Sequence, residues 1–358
     1  MLRHYGCSRG KNSTVKVSVF ARSVVSMTVL LLGILALVPC GSTEELPSGR
    51  KKRVDLTLGT WISVGDTRWS HNASSQGLLG NPTSRLTYAD HSTNVVELTA
   101  KVYFRSRFFG RVQVGGAHIG GGRLTDDDFL AADRGSPSLR THSDISGSGL
   151  WFLNADLGGS VTTFSQGRGH LDGFLGFQYW RQKHNAYGVR QITCSAAGAS
   201  TDLDVGTPGL DPLCVPGDAG IGQGVQVISN SSAWYAFRVG ATGEYHLLRW
   251  LTLYGSIVVK PINFFTNEDT HHLRVADGEL RAPSFTMQGI GFGADADIGA
   301  TVHLTRWLAA QVGYRVWWNR LIDGTWESHL ADGRSASFPL TEFQSIRHGL
   351  TAAITASF

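Results

Sequence analysis

Beyond residue 54 the apolar side chains recur at every second position. In 95–105, Val96, Leu98, Ala100, Val102 and Phe104 alternate with Glu97, Thr99, Lys101, Tyr103 and Arg105. In 251–260, Leu251, Leu253, Gly255, Ile257 and Val259 alternate with Thr252, Tyr254, Ser256, Val258 and Lys260, and 171–180 and 308–317 behave alike. A strand shows each of its faces every second residue, so each segment has one apolar and one more polar face. Soluble sandwiches also alternate, but with strands of about 5–6 residues. A tilted strand needs about 9–11 residues to cross a bilayer, which is the length of these runs.

Ten strand-like runs lie near 54–63, 94–105, 108–119, 149–161, 169–181, 232–246, 250–261, 286–304, 307–318 and 345–358. The links after the second, fourth, sixth and eighth are short: near Ser106, Thr163–Arg168, Leu247–Arg249 and Thr305–Arg306. The other five are long and polar. This pattern predicts an all-β fold, a ten-stranded antiparallel transmembrane β-barrel with short periplasmic turns and long outer loops. The terminal "HGLTAAITASF" puts Leu350, Ala352, Ile354, Ala356 and Phe358 on one face and looks like the assembly signal of bacterial outer-membrane proteins. Trp151, Trp180, Trp234, Trp250, Trp307 and Trp318 stand near strand ends, where an interfacial girdle is expected. The lumen face carries Glu97, Lys101, Arg111, Asp156, Asp172, Arg238, Glu244, Lys260, Asp295, Asp297 and Arg315. Ten strands are nearer the eight that side chains fill than the sixteen or so that leave a channel, so ion pairs plugging the lumen are expected over a pore lining.

Residues 1–42 read as a secretory signal: a basic segment with Arg3, Arg9, Lys11, Lys16 and Arg22, an apolar run over 24–38, and Pro39, Cys40, Gly41 and Ser42 at its end. A lipid-bearing Cys40 is the alternative. The rest, 43–358, forms a single barrel domain bound for the outer membrane. Of 32 basic residues five lie in the signal, leaving 27 against 28 acidic ones. The near-neutral charge of the mature chain gives no argument for a nucleic-acid partner. Cys194 and Cys214 share one polar Gly/Asp/Pro-rich stretch with no neighbouring His, so in an exported chain they read as a disulfide rather than a metal site.

Two clusters carry candidate chemistry. "GGRLTDDDF" ends in three consecutive acids, Asp126, Asp127 and Asp128, above the third strand. "NEDTHHLR", 267–274, follows the seventh. In a ten-stranded ring these strands lie nearly opposite each other. On extended chain Asp126 and Asp128 share a face, with Asp127 turned away. Asp269 and His271 likewise share a face, so Asp269 can hold one imidazole nitrogen and leave the other as a base. That suits water attack on a carbonyl with no covalent intermediate. A solvated acidic loop, and a metal site built from Asp126, Asp128 and His271, stay open on pattern alone.

These residues resemble the omptin family of ten-stranded outer-membrane proteases. The family's Asp-x-Asp pair before an aromatic residue is matched by Asp126, Asp128 and Phe129, and its Asp-x-His pair with a nearby Arg by Asp269, His271 and Arg274. "SRLTY" (84–88) and "GFQYWRQ" (176–182) are weaker echoes. The resemblance implies an endopeptidase that holds its water between the two pairs, needs no cofactor or metal, cuts at basic residues, and works with lipopolysaccharide in the outer-membrane lipid. There are departures. Where the family places an acid two positions before the Asp-x-His Asp, this chain has Asn267, with Glu268 adjacent; the first outer loop offers Asp66 but no clear Glu. Asn267, Glu268 and Asp66 are therefore the candidate substrate-binding residues. An inactive barrel serving as adhesin or structural protein, or a small porin, is the competing expectation.

Overall fold

The computed structural model describes residues 54–104, 107–200, 214 and 220–358. The signal expected over 1–42 and the turn at Ser106 lie outside the described residues. The strands are Val54–His71 (β1), Leu79–Phe104 (β2), Phe108–Leu130 (β3), Leu139–Ile145 (β4), Ser148–Phe164 (β5), Gly169–Cys194 (β6), Ile221–Leu248 (β7), Leu251–His271 (β8), Leu280–His303 (β9), Leu308–Leu330 (β10) and Ser335–Ser357 (β11). Neighbours pair antiparallel, and β1 pairs with both β2 and β11, which closes the ring. Eleven strands fill ten positions, because β4 and β5 are two halves of one stave. Both pair with β3 on one side and β6 on the other, and the break falls at Ser146–Gly147, where Gly147 has φ 67°.

Outside the barrel stands a belt of exposed apolar side chains, among them Leu157, Ile257, Ile298 and Leu350 at 62–68% exposure. In water such a belt would drive aggregation. In lipid it is buried, and ring closure satisfies the strand backbone that a bilayer cannot. The chain is an outer-membrane β-barrel. Trp151, Trp250 and Trp307 are exposed on the outside as a girdle requires, whereas Trp180 and Trp234 point inward and are buried. They fall on the inward parity of β6 and β7, with Gln178, Gln182, Ser232 and Ala236.

The long connections are mostly strand. A 26-residue strand such as β2 rises about 85 Å at the usual strand pitch, far more than a bilayer needs. The candidate motifs thus lie on rigid strands standing above the membrane, not in loops.

The interior is layered along β1. Lowest are ion pairs: Arg315 with Glu97 and Asp297 (both 2.6 Å), Arg111 with Asp156 (2.8 Å), Lys101 with Asp172 (3.2 Å), and Lys260 with Asp295 (2.6 Å). Above them Trp61, Phe152 and Trp180 surround Trp317 at centroid distances of 5.0, 4.7 and 5.7 Å. Next, Arg347 hydrogen-bonds Ser63, Thr93 and His91. Higher still Trp69 and Leu86 oppose each other across β1 and β2, and His71 faces Ser84. Charged and aromatic side chains cross this lumen in layers, as expected of a barrel this narrow, and leave a cavity of about 350 Å³ beside the lowest ion pairs.

Cys194, at the end of β6, is disulfide-bonded to Cys214 with Cα atoms 5.3 Å apart. The bond sits against a small hub. Asp133 accepts from Ser138 (2.5 Å) and Ser195 (2.7 Å), and the Ser138 N–H donates to the Asp128 carbonyl (2.7 Å). Ser195 also caps the short helix Ala196–Ala199 (α1). Closing a loop of this length is worth at most about 3 kcal/mol by chain entropy. We expect Cys194→Ser/Cys214→Ser to speed limited proteolysis of the segment between β6 and β7 and to lower the melting temperature modestly. Unchanged proteolysis would show that the bond braces nothing.

Candidate active site

The facing of both motifs is set by a break in alternation below each. Along lower β3 the odd residues, Arg111 and Gln113 among them, face inward; beyond Gly120–Gly122 the even ones do, Leu124, Asp126 and Asp128. The β2–β3 register shifts there. Gly122 permits the shift, since a Cβ would meet the Ala89 carbonyl oxygen at 2.8 Å and the His91 Cα at 3.1 Å. On β8 the shift falls between Lys260 and Asn263. Before it Lys260 faces inward; after it Asn263, Phe265, Asn267, Asp269 and His271 do.

Asp126, Asp128 and His271 line one cavity of about 320 Å³ at the barrel mouth. β3 and β8 are the third and seventh staves, as expected from the sequence. Asp127 points outward and receives a bidentate fork from Arg140 (Nε 2.5 Å, Nη2 2.9 Å). Asp269 is fully buried behind His271, with Oδ2 3.7 Å from Nε2. The His271 backbone N–H donates to Ser284 Oγ at 3.0 Å, and its ring meets Phe285 edge-on at 4.8 Å. Among the described residues no three of His, Cys, Asp and Glu gather closely enough to hold a metal ion.

The three substrate-binding candidates separate. Asn267 faces inward, is 2% exposed and exchanges two hydrogen bonds with Asn230 (2.9 and 3.2 Å). Glu268, one residue on, points out of the barrel into a cleft shared with Thr286, Gln288 and Glu327. Asp66 falls on the outward parity of β1 and accepts the Asp90 N–H at 2.8 Å. Neither Glu268 nor Asp66 lines the cavity, because strand alternation turns each to the face opposite its inward neighbours.

Other residues join the site without a local motif. His71 stacks on Trp326 at 4.0 Å and 3° between planes, and both line the cavity. Ser84 donates to Asp126 at 3.5 Å. Tyr88 is fully buried; burial first, then the Asp269 and Asp126 carboxylates, push its phenol well above the ordinary range. Ser84 and Tyr88 bound the "SRLTY" segment; His71 and Trp326 carry no comparable signal.

Burial lowers His71 from 6.5 to about 3. The unfolded chain therefore binds more protons than the folded one between those values, so stability falls as pH drops through that window. We expect the melting temperature to fall on acidification from pH 7 to 4, and His71→Phe to flatten that slope. An equal slope in the variant would show that His71 is not held neutral.

No protein-family model matches the chain, and no curated protein matches its sequence. Among solved structures, the outer membrane protease OmpT from Escherichia coli matches at TM-score 0.65 and 15% identity, over 88% of this chain and 100% of that one. The Ralstonia pickettii toluene transporter TbuX matches at TM-score 0.32 and 9% identity, over 86% and 90%. The first shares the fold, an omptin-like outer-membrane barrel; the second is too dissimilar to inform it.

Proposed function

We propose that the barrel is an outer-membrane endopeptidase that hydrolyses peptide bonds with water held between Asp126/Asp128 and His271. One observation carries the reading: two opposed strands deliver an acid pair and a carboxylate-backed imidazole to the same cavity. Asp269 holds Nε2 of His271, which leaves Nδ1 as the base. The Asp pair orients the water. The water oxygen bonds to the peptide carbon as its proton passes to His271. His271 then returns that proton to the leaving amine as the C–N bond breaks. The 3.7 Å separation is the loose geometry common before substrate tightens a site.

The reading includes lipopolysaccharide as partner. Arg123, Arg140 and Arg190 gather around His142 on the outer face of β3, β4 and β6. Strand pairing sets Arg190 directly opposite His142, while Arg140 is already shared with Asp127. Such a cluster suits the phosphates of an anionic lipid. The test is incubation of refolded protein with a peptide library, with and without lipopolysaccharide. Cleavage that lipopolysaccharide enhances is expected. No cleavage in either condition would leave a non-catalytic barrel.

A further inference from the structure

We infer that the cavity beside the scissile bond takes a large apolar, preferably aromatic, side chain and not a basic one. The inference rests on the hydrolytic reading, since a peptide carbonyl between Asp126/Asp128 and His271 must lay a neighbouring side chain into the cavity they line. Much of its wall is apolar: Leu86, Leu124, Ile228, Leu273, Phe285 and Trp326. Phe285 packs on Trp326 at 4.7 Å, and Trp326 on His71 at 4.0 Å, making a continuous flat surface of the kind aromatic rings stack on. His71 is held neutral by burial and adds no charge to it.

A cationic side chain buried here would need a carboxylate to receive it. The acids nearby are committed or elsewhere. Of the four carboxylates that line the cavity, Asp126 and Asp128 face the water, Glu279 is salt-bridged to Arg274 at 3.0 Å, and Asp277 is exposed to solvent. Asp66 and Glu268 face outward, and the inward neighbour is the neutral Asn267, tied to Asn230.

The test measures binding and hydrolysis separately. Fluorescent peptides carry a neutral hydroxyethylene in place of the scissile bond and Phe, Leu, Arg or Glu on both sides of it. Anisotropy is read with wild-type protein in micelles containing lipopolysaccharide. Phe and Leu peptides should bind at least tenfold tighter than Arg peptides, and Leu273→Glu, on the short helix His272–Ala276 (α2), should narrow or reverse that ratio. Arg binding as tightly as Phe, or none of the peptides binding, overturns the inference. The matching amide peptides are assayed for cleavage in parallel. A Phe preference in binding without any cleavage sinks the hydrolytic reading and leaves the cavity's selectivity standing. Cleavage preferring Arg does the opposite.

Discussion

His271→Ala and Asp269→Asn should each lower peptide hydrolysis about 10²–10⁴-fold, the usual cost of losing a general base or the group that orients it. The barrel should stay folded in both, because it is held by a closed ladder and by lumen ion pairs that lie layers below. His271 is only partly exposed and Asp269 not at all, so on the proposed mechanism substrate should meet the imidazole first, with the carboxylate acting through it. An amide at 269 keeps the shape but loses the charge that stabilises an imidazolium. His272 separates the site from its surroundings. It begins α2, bonds Ser229 at 3.1 Å, and His272→Ala should cost little. Rates are compared on protein that shows the same heat-modifiable migration as wild type. Wild-type turnover in His271→Ala would remove the base from the mechanism.

Asp126→Asn and Asp128→Asn should be similarly severe, and Asp127→Asn mild. The three are consecutive and carry the same charge, so a general acidic patch would weight them equally. Alternation does not: two face the cavity, while Asp127 lies outside in the Arg140 fork. An amide at 126 or 128 cannot match the charge that orients the water. Breaking the ion pair at 127 removes a buried carboxylate's fork from a half-exposed Arg140, so its cost should fall on local stability and not on the chemistry. Comparable losses at all three would show that charge, not placement, matters.

The barrel was legible because a lipid-facing strand must alternate. Even ring closure could be read from the short and long links. The length of the strands was not, because above the membrane both faces meet water or polar neighbours and the alternation that marks a strand fades. That is why Asp126 reads as loop and lies in β3. The split of one stave at Ser146–Gly147 has the same cause: it is a backbone break with no hydrophobic signature. Within the site, Asp-x-Asp and Asp-x-His were legible as same-face pairs, since period two needs no tertiary knowledge. Whether that face points inward depends on the shifts at Gly120–Gly122 and after Lys260, which only the register with neighbouring strands decides. Asp66 and Glu268 illustrate the limit: their charge is visible in the sequence and their facing is not. His71 and Trp326, over 250 residues apart in the chain, meet because the ring closes.

On the proposed mechanism water attacks the peptide between the two pairs with no covalent enzyme intermediate. Hydrolysis of one peptide in ¹⁸O-water containing hydroxylamine tests it most directly, read by mass spectrometry. The expected product carries a single ¹⁸O in its new carboxylate, with no hydroxamate, in wild type and Asp127→Asn alike. A hydroxamate would mean that an acyl-enzyme forms and is intercepted, and uncut peptide would mean that the site does not hydrolyse at all.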